Sequence, residues 1–138
     1  VEKRLDVKVS RKSPRGVVFI CVDSMDARRC IVEGLRSNPH VTCVIETRMD
    51  AGVGVSHCFD PKSKRHMACW RLYWYSDKEV DNLQGCNGPQ SVISAIYGTT
   101  TLALKQFEKY AHDGFASVHN RIYHDFEEHI LRSERWDA

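Results

Sequence analysis

Leu5 to Ser10 sets Leu5, Val7 and Val9 against Asp6, Lys8 and Ser10, the period-two pattern of a strand with one buried face. After a polar Pro-Arg-Gly loop, Val17 to Val22 is unbroken apolar sequence, as expected of a central parallel strand covered on both sides. Asp23-Ser24 then offers a helix N-cap, and Met25 to Arg36 carries Met25, Arg28, Cys30, Ile31 and Leu35 at helical spacing before Ser37-Asn38-Pro39 ends the helix. Val41 to Ile45 is a second apolar strand. Strand, helix and strand in that order make a βαβ unit and a parallel sheet.

Further on, Gly52 to Phe59 and Met67 to Tyr75 read as two strands joined by the turn Asp60-Pro61-Lys62-Ser63-Lys64, an antiparallel hairpin extending the sheet. Ser76 to Leu83 predicts a short helix, and Gln84 to Pro89 a loop rich in turn residues. Ser91 to Tyr110 is apolar nearly all round and predicts a long buried helix. Gly98 in its middle costs about 1 kcal/mol relative to Ala, which points to a close approach by a neighbour. Phe115 to Ile130 fits strand and helix equally. The expected fold is α/β: part of a Rossmann-like three-layer sheet, with parallel strands, an antiparallel hairpin extension and a long buried helix. At 138 residues the chain is expected to form a single domain over 1–138.

Composition narrows the class. Apolar and charged fractions are ordinary and the net charge is +2, which excludes disorder and gives no support to nucleic-acid binding. The basic runs Arg11 to Arg15 and Lys62 to His66 sit beside prolines and read as solvated loops. No apolar run reaches the roughly 20 residues of a membrane span, and the start Val1-Glu2-Lys3-Arg4 is unlike a signal peptide, so a cytoplasmic protein without a membrane partner is expected. None of the six cysteines forms a C-x-x-C pair; no structural zinc is expected and a reducing compartment fits. Cys21, Cys30, Cys43, Cys58 and Cys69 read as core thiols from their apolar settings. The seven histidines lack ligand spacing, and His119, His124 and His129 suggest a solvated or partner-facing surface. The aromatic group Trp70, Tyr73, Trp74 and Tyr75 reads as strand-borne core, with a protein-binding face as the other reading.

Candidate chemistry begins at Asp23, a carboxylate at the carboxyl end of a parallel strand, where open α/β sheets bind ligands. It suits Mg²⁺ and, through it, phosphate; it suits equally a helix cap. The stretch Val17 to Arg28, ending Val22-Asp23-Ser24-Met25-Asp26-Ala27-Arg28, resembles a motif of the ThiF/MoeB/HesA family of adenylating enzymes, related to ubiquitin-activating proteins. There a strand ends in Asp, followed by Asn or Ser, with Arg five positions after the Asp. The resemblance continues at Val44-Ile45-Glu46-Thr47-Arg48-Met49-Asp50-Ala51-Gly52 and at Cys86-Asn87-Gly88-Pro89 before the long helix, covering Val17 to Tyr110.

The resemblance implies ATP-dependent adenylation of the C-terminal carboxylate of a ubiquitin-like or sulfur-carrier protein. ATP and Mg²⁺ would be the cofactors, Asp23 the metal-side carboxylate, and Ser24, Arg28 and Arg48 supporting groups, with Arg28 alternatively a structural brace. Cys86, between Gly85 and Gly88, would be a nucleophile for covalent sulfur or thioester chemistry, or else an ordinary loop thiol. The family's Gly-x-Gly-x-x-Gly phosphate loop is missing: Gly52-Val53-Gly54 lacks the third glycine and the helix. The chain therefore reads as a carboxyl-terminal portion, its start without Met suggesting a cut, expected to act as a homodimer or with the missing amino-terminal half. The competing reading is a non-catalytic interaction module that keeps the sheet and helix. A dehydratase acting on tRNA, a further possibility within the family, has no support from the charge.

Overall fold

A computed structural model of the chain describes residues 13–50, 52–80 and 92–136. Strand β1 (Gly16–Ile20) leads into helix α1 (Met25–Arg36), then β2 (Val41–Asp50) and β3 (Val53–Phe59). Helices α2 (Lys64–Leu72), α3 (Asp77–Val80) and α4 (Val92–Asp113) follow, and a 3₁₀ turn precedes β4 (Arg121–Asp125) and β5 (Ile130–Glu134). The sheet order is β1-β2-β3-β4-β5. Only β1 and β2 run parallel; the other neighbours are antiparallel. The architecture is thus α/β with a mixed sheet.

The βαβ unit forms as its pattern predicts, with Ser24 capping α1 and Val32 and Leu35 buried on the inner face of that helix. β1, however, has one strand neighbour among the described residues rather than two, and Phe19 is exposed, so it is not a central strand there. The strand expected at Leu5 to Ser10 lies outside the described residues.

Met67 to Tyr75 is not a strand. Ser63 caps a helix by accepting from the His66 N–H, and His66, Met67 and Trp70 bury one helical face, a spacing that outweighs the imperfect alternation of the aromatic residues. The antiparallel partner of β3 is β2, paired from Val44 with Phe59 to Asp50 with Val53. The supposed loop Lys62 to His66 accordingly opens α2, and His66 is buried with Nδ1 accepting from the Asp60 N–H at 3.0 Å. Phe115 to Ile130 resolves into the 3₁₀ turn, β4 and the hairpin to β5. Of the expected helix Ser76 to Leu83, Asp77–Val80 is helical; the loop Gln84 to Pro89, with Cys86, lies outside the described residues.

Alternation of side chains splits the core into two layers. Val44, Phe59, Val32, Leu35, Met67, Trp70 and Trp136 pack under α1 and α2, while Cys43, Ile45, Cys58, Ala103 and Val118 pack under α4. Ala95, Thr99, Ala103 and Gln106 are buried in α4, but Ile93, Tyr97 and Leu104 are exposed, so the long helix is covered on one face and not all round. A Cβ on Gly98 would stand 2.0 Å from the Phe126 ring, the close approach anticipated for that glycine. Cys43 and Cys58 are buried thiols as expected; Cys21, just past the end of β1, and Cys30, on the outer face of α1, are exposed and not core.

Candidate functional site

Two adjoining features meet at the carboxyl end of β1 and β2. The first is the turn into α1. Ser24 Oγ accepts from the Ala27 N–H at 3.0 Å and donates to Asp77 Oδ2 at 2.6 Å. Asp77 also accepts from the Met25 N–H at 2.6 Å and the Asp26 N–H at 3.2 Å, so the first amides of α1 face a carboxylate brought from α3. The Ser24 hydroxyl, with those N–H groups, holds the Asp77 carboxyl below its ordinary range. The capping role is therefore filled by Ser24 and Asp77. Asp23 is exposed and has no hydrogen-bond or ion-pair partner among the described residues.

Arg28 connects this turn to the second feature. Five residues after Asp23 on a helix, it points under the sheet, where its guanidinium donates to the carbonyls of Val22 and Thr47 and lies 3.2 Å from Glu46 Oε1. Glu46 is fully buried on the inward side of β2 and is the hub of a polar cluster. Arg48 Nε donates to Oε1 at 2.7 Å and Arg48 Nη2 to Oε2 at 3.0 Å. Trp70 Nε1 donates to Oε2 at 2.7 Å. His57, opposite Glu46 on β3, places Nδ1 3.4 Å from Oε2 without the alignment of a hydrogen bond.

Burial alone would raise the Glu46 carboxyl; the His57 and Arg48 contacts overcome that and hold it well below the usual carboxylate range. Burial pushes the His57 imidazole down, so its neutral form is favoured. Burial also lowers Arg28, with Glu46 opposing the shift.

Over this cluster, on the sheet face away from α4, opens a cleft of about 590 Å³. Its floor includes Arg48 and His57; β3 and β4 supply Val55, Arg121 and Tyr123, and the end of α2 and the following turn supply Tyr73 and Tyr75. Arg121 lies 4.2 Å over the Tyr73 ring, donates to Glu134 Oε1 at 2.6 Å, and shares that carboxylate with the Tyr73 hydroxyl, itself 2.6 Å from Oε2.

The structure thus brings together four of the five sequence-predicted residues, though in different ways. Asp23 is presented to solvent, Ser24 is a cap, and Arg28 and Arg48 are buried against Glu46; Cys86 lies outside the described residues. Sequence reasoning missed Glu46, His57, Asp77 and Arg121. For Glu46 a signal existed: with Arg48 it occupies alternate, inward positions of a strand with Val44, where an isolated charge would be costly and a paired one is expected, whereas His57 is linked to it only by the pairing of β2 with β3. Asp77 and Arg121 are brought in from distant elements, and nothing local marks them. Among the described residues no group of three or more His, Cys, Asp or Glu is placed to hold a metal ion. None of the described helices is long and apolar enough to cross a membrane.

No protein-family model matches the sequence, and no curated protein matches it. Among solved structures, the fold is similar to a chain of the E. coli microcin synthetase McbBCD complex. The TM-score is 0.55 at 15% identity, covering 95% of this chain and 52% of that one. The likeness is one of fold. This chain spans about half the length of the one it matches.

Proposed function

We propose that the chain is the carboxyl-terminal part of an adenylating unit of the ubiquitin-activating type, which activates the C-terminal carboxylate of a ubiquitin-like or sulfur-carrier protein with ATP once a phosphate-gripping half is supplied. The observation that supports this reading most is the state of Asp23. It stands at the carboxyl end of a parallel strand, exposed, with the competing helix-cap role taken by Ser24 and Asp77. Open α/β sheets bind ligands outside the carboxyl ends of their strands, and Asp23 stands there uncommitted.

Mg²⁺ is commonly held by one or two carboxylates together with the phosphates of its substrate, and Asp23 fits the protein's share of that arrangement. The bound cation would offset charge developing on the triphosphate. In this reading Arg28 positions Asp23, because it ties the carbonyl of Val22, the residue before it, to Glu46 and β2. Arg48 is engaged with Glu46 and serves the same scaffold rather than the phosphates. A glycine-rich loop and its cations would come from the complementary half, whether on the same gene product or on a different chain, and the multi-subunit nature of the structural neighbour is in keeping with a shared assembly. Cys86 remains the proposed acceptor for thioester or sulfur chemistry.

One observation favours a second reading, a non-catalytic interaction module. The Asp77 carboxylate sits on the first amides of α1, a position that would otherwise attract a phosphate. ATP–pyrophosphate exchange by the full-length product separates the two. Exchange that depends on a ubiquitin-like partner and is lost in Asp23→Ala supports adenylation; absence of exchange, with retained partner binding, supports the module.

A further inference from the structure

Helix α4 carries apolar residues on two faces, and its own sheet covers one of them. The inner face, with Ala95, Thr99, Ala103 and Gln106, is buried. The outer face bears Ile93, Tyr97, Thr100, Leu104, Phe107 and Ala111, all exposed and spaced alternately by four and three residues. That alternation is the a/d seam of a coiled coil, a pattern that specifies a second helix as its neighbour. A helix face kept in water is ordinarily polar or charged, and no seam position here is charged.

The exposed area is that of an interface. Tyr97 is 72% exposed, Ile93 62% and Leu104 55%, and the patch continues onto the open edge of the sheet, because Phe107 meets exposed Phe19 of β1 with ring centroids 5.8 Å apart. With Ile96 beside the seam, large side chains of roughly 150 to 250 Å² each leave on the order of 600 Å² of apolar surface in water. That is the upper end of what a monomer exposes in one patch and, with the small residues of the seam, approaches the roughly 800 Å² per partner of a standard interface.

The seam is also complementary to itself. Turning a second α4 about a two-fold axis level with Leu102 sets Ile93 opposite Ala111, Tyr97 opposite Phe107 and Thr100 opposite Leu104. Two of these pairs match a large side chain with a small one, and the third is aromatic. In a parallel pair each residue would instead meet its own copy, tyrosine against tyrosine at one end and alanine against alanine at the other, which crowds the first and leaves a gap at the second. We infer that α4 is a self-association surface, on which two copies of this chain pack antiparallel through the outer seam, with Phe19 beside the Tyr97–Phe107 pair. This inference goes beyond the adenylation reading and does not depend on it.

Sedimentation equilibrium of the full chain is expected to give a dimer with a Kd of about 10 µM or tighter, within the range that interfaces of this size reach. Leu104→Glu sets a charge on the seam of both copies and should raise that Kd at least about a hundredfold, while the far-ultraviolet circular dichroism stays that of the wild type. Tyr97→Lys, two turns away, should do the same. Adding Thr100→Lys to Leu104→Glu places a lysine opposite each glutamate in the antiparallel register and should recover at least about tenfold. A wild type that stays monomeric would overturn the proposal, and would leave the face to another segment of this chain or to a different protein. So would a dimer that either single variant leaves intact, or one that the added lysine does not restore. Since molecular mass and not nucleotide turnover is read, failure here is distinct from failure of the exchange assay.

Discussion

Glu46 carries more of the local electrostatics than any other single residue described. Its carboxylate is buried and faces two guanidiniums, an indole N–H and an imidazole. Removing one partner from such a buried cluster leaves the others uncompensated, and Glu46→Gln should cost about 3–5 kcal/mol in urea denaturation at pH 7. The pH dependence follows in sign. Glu46 is held below its unfolded value near 4.3, so its contribution is present above that pH and is lost as the pH falls below it. His57 is also depressed, so the unfolded chain takes up its proton first, and stability begins to decline below about 6.5. Denaturation midpoints across pH 3–8 should fall in two stages, and Glu46→Gln should shrink the lower one, to which other depressed carboxyls such as Asp77 also contribute. At this scale the sequence was half legible. Arg28 as a brace follows from its place on a helix near a carboxylate; Glu46 is marked only by alternating with Arg48 inside an apolar strand, and His57 is tied to it by a cross-strand pairing that no local pattern shows.

Among the elements, α4 lies on the sheet through two glycines. A Cβ on Gly54 would stand 1.9 Å from Thr99 Oγ1, and one on Gly98 would meet the Phe126 ring, which is itself held against His124 at 4.0 Å between centroids. Ala normally gains about 1 kcal/mol over Gly in a helix, but overpacking costs about 1–3 kcal/mol, and at a 2.0 Å approach the clash decides the sign. Gly98→Ala should therefore be destabilising by equilibrium denaturation, and adding Phe126→Leu should recover most of the loss. Ser24→Ala should weaken the α1 terminus by about 1 kcal/mol, since it removes both the cap and the hydroxyl that anchors Asp77. The βαβ unit was readable because helix caps and apolar runs are local. α2 was misread because four aromatic residues in six positions resemble a strand until Ser63 is recognised as a cap. Gly98 was read correctly because a helix tolerates a central glycine chiefly where something must come close.

For the whole molecule, the mixed sheet is similar in fold to a chain of which it covers about half, 52%. The missing glycine loop was evident in the sequence; the way Asp77 and Ser24 relieve Asp23 of a capping role was not, because it depends on a contact across more than 50 residues. The proposed chemistry rests on that freed carboxylate. Because Asp23 is exposed and without partners among the described residues, Asp23→Ala should change stability by no more than about 0.5 kcal/mol. The decisive measurement is ATP–pyrophosphate exchange by the full-length product with a ubiquitin-like or sulfur-carrier protein, comparing wild type with Asp23→Ala at matched stability. The account predicts partner-dependent exchange that falls at least about a hundredfold in the variant, the loss of a group that acts only on the reacting charge. Exchange of equal rate in both proteins, or none in either, would contradict it.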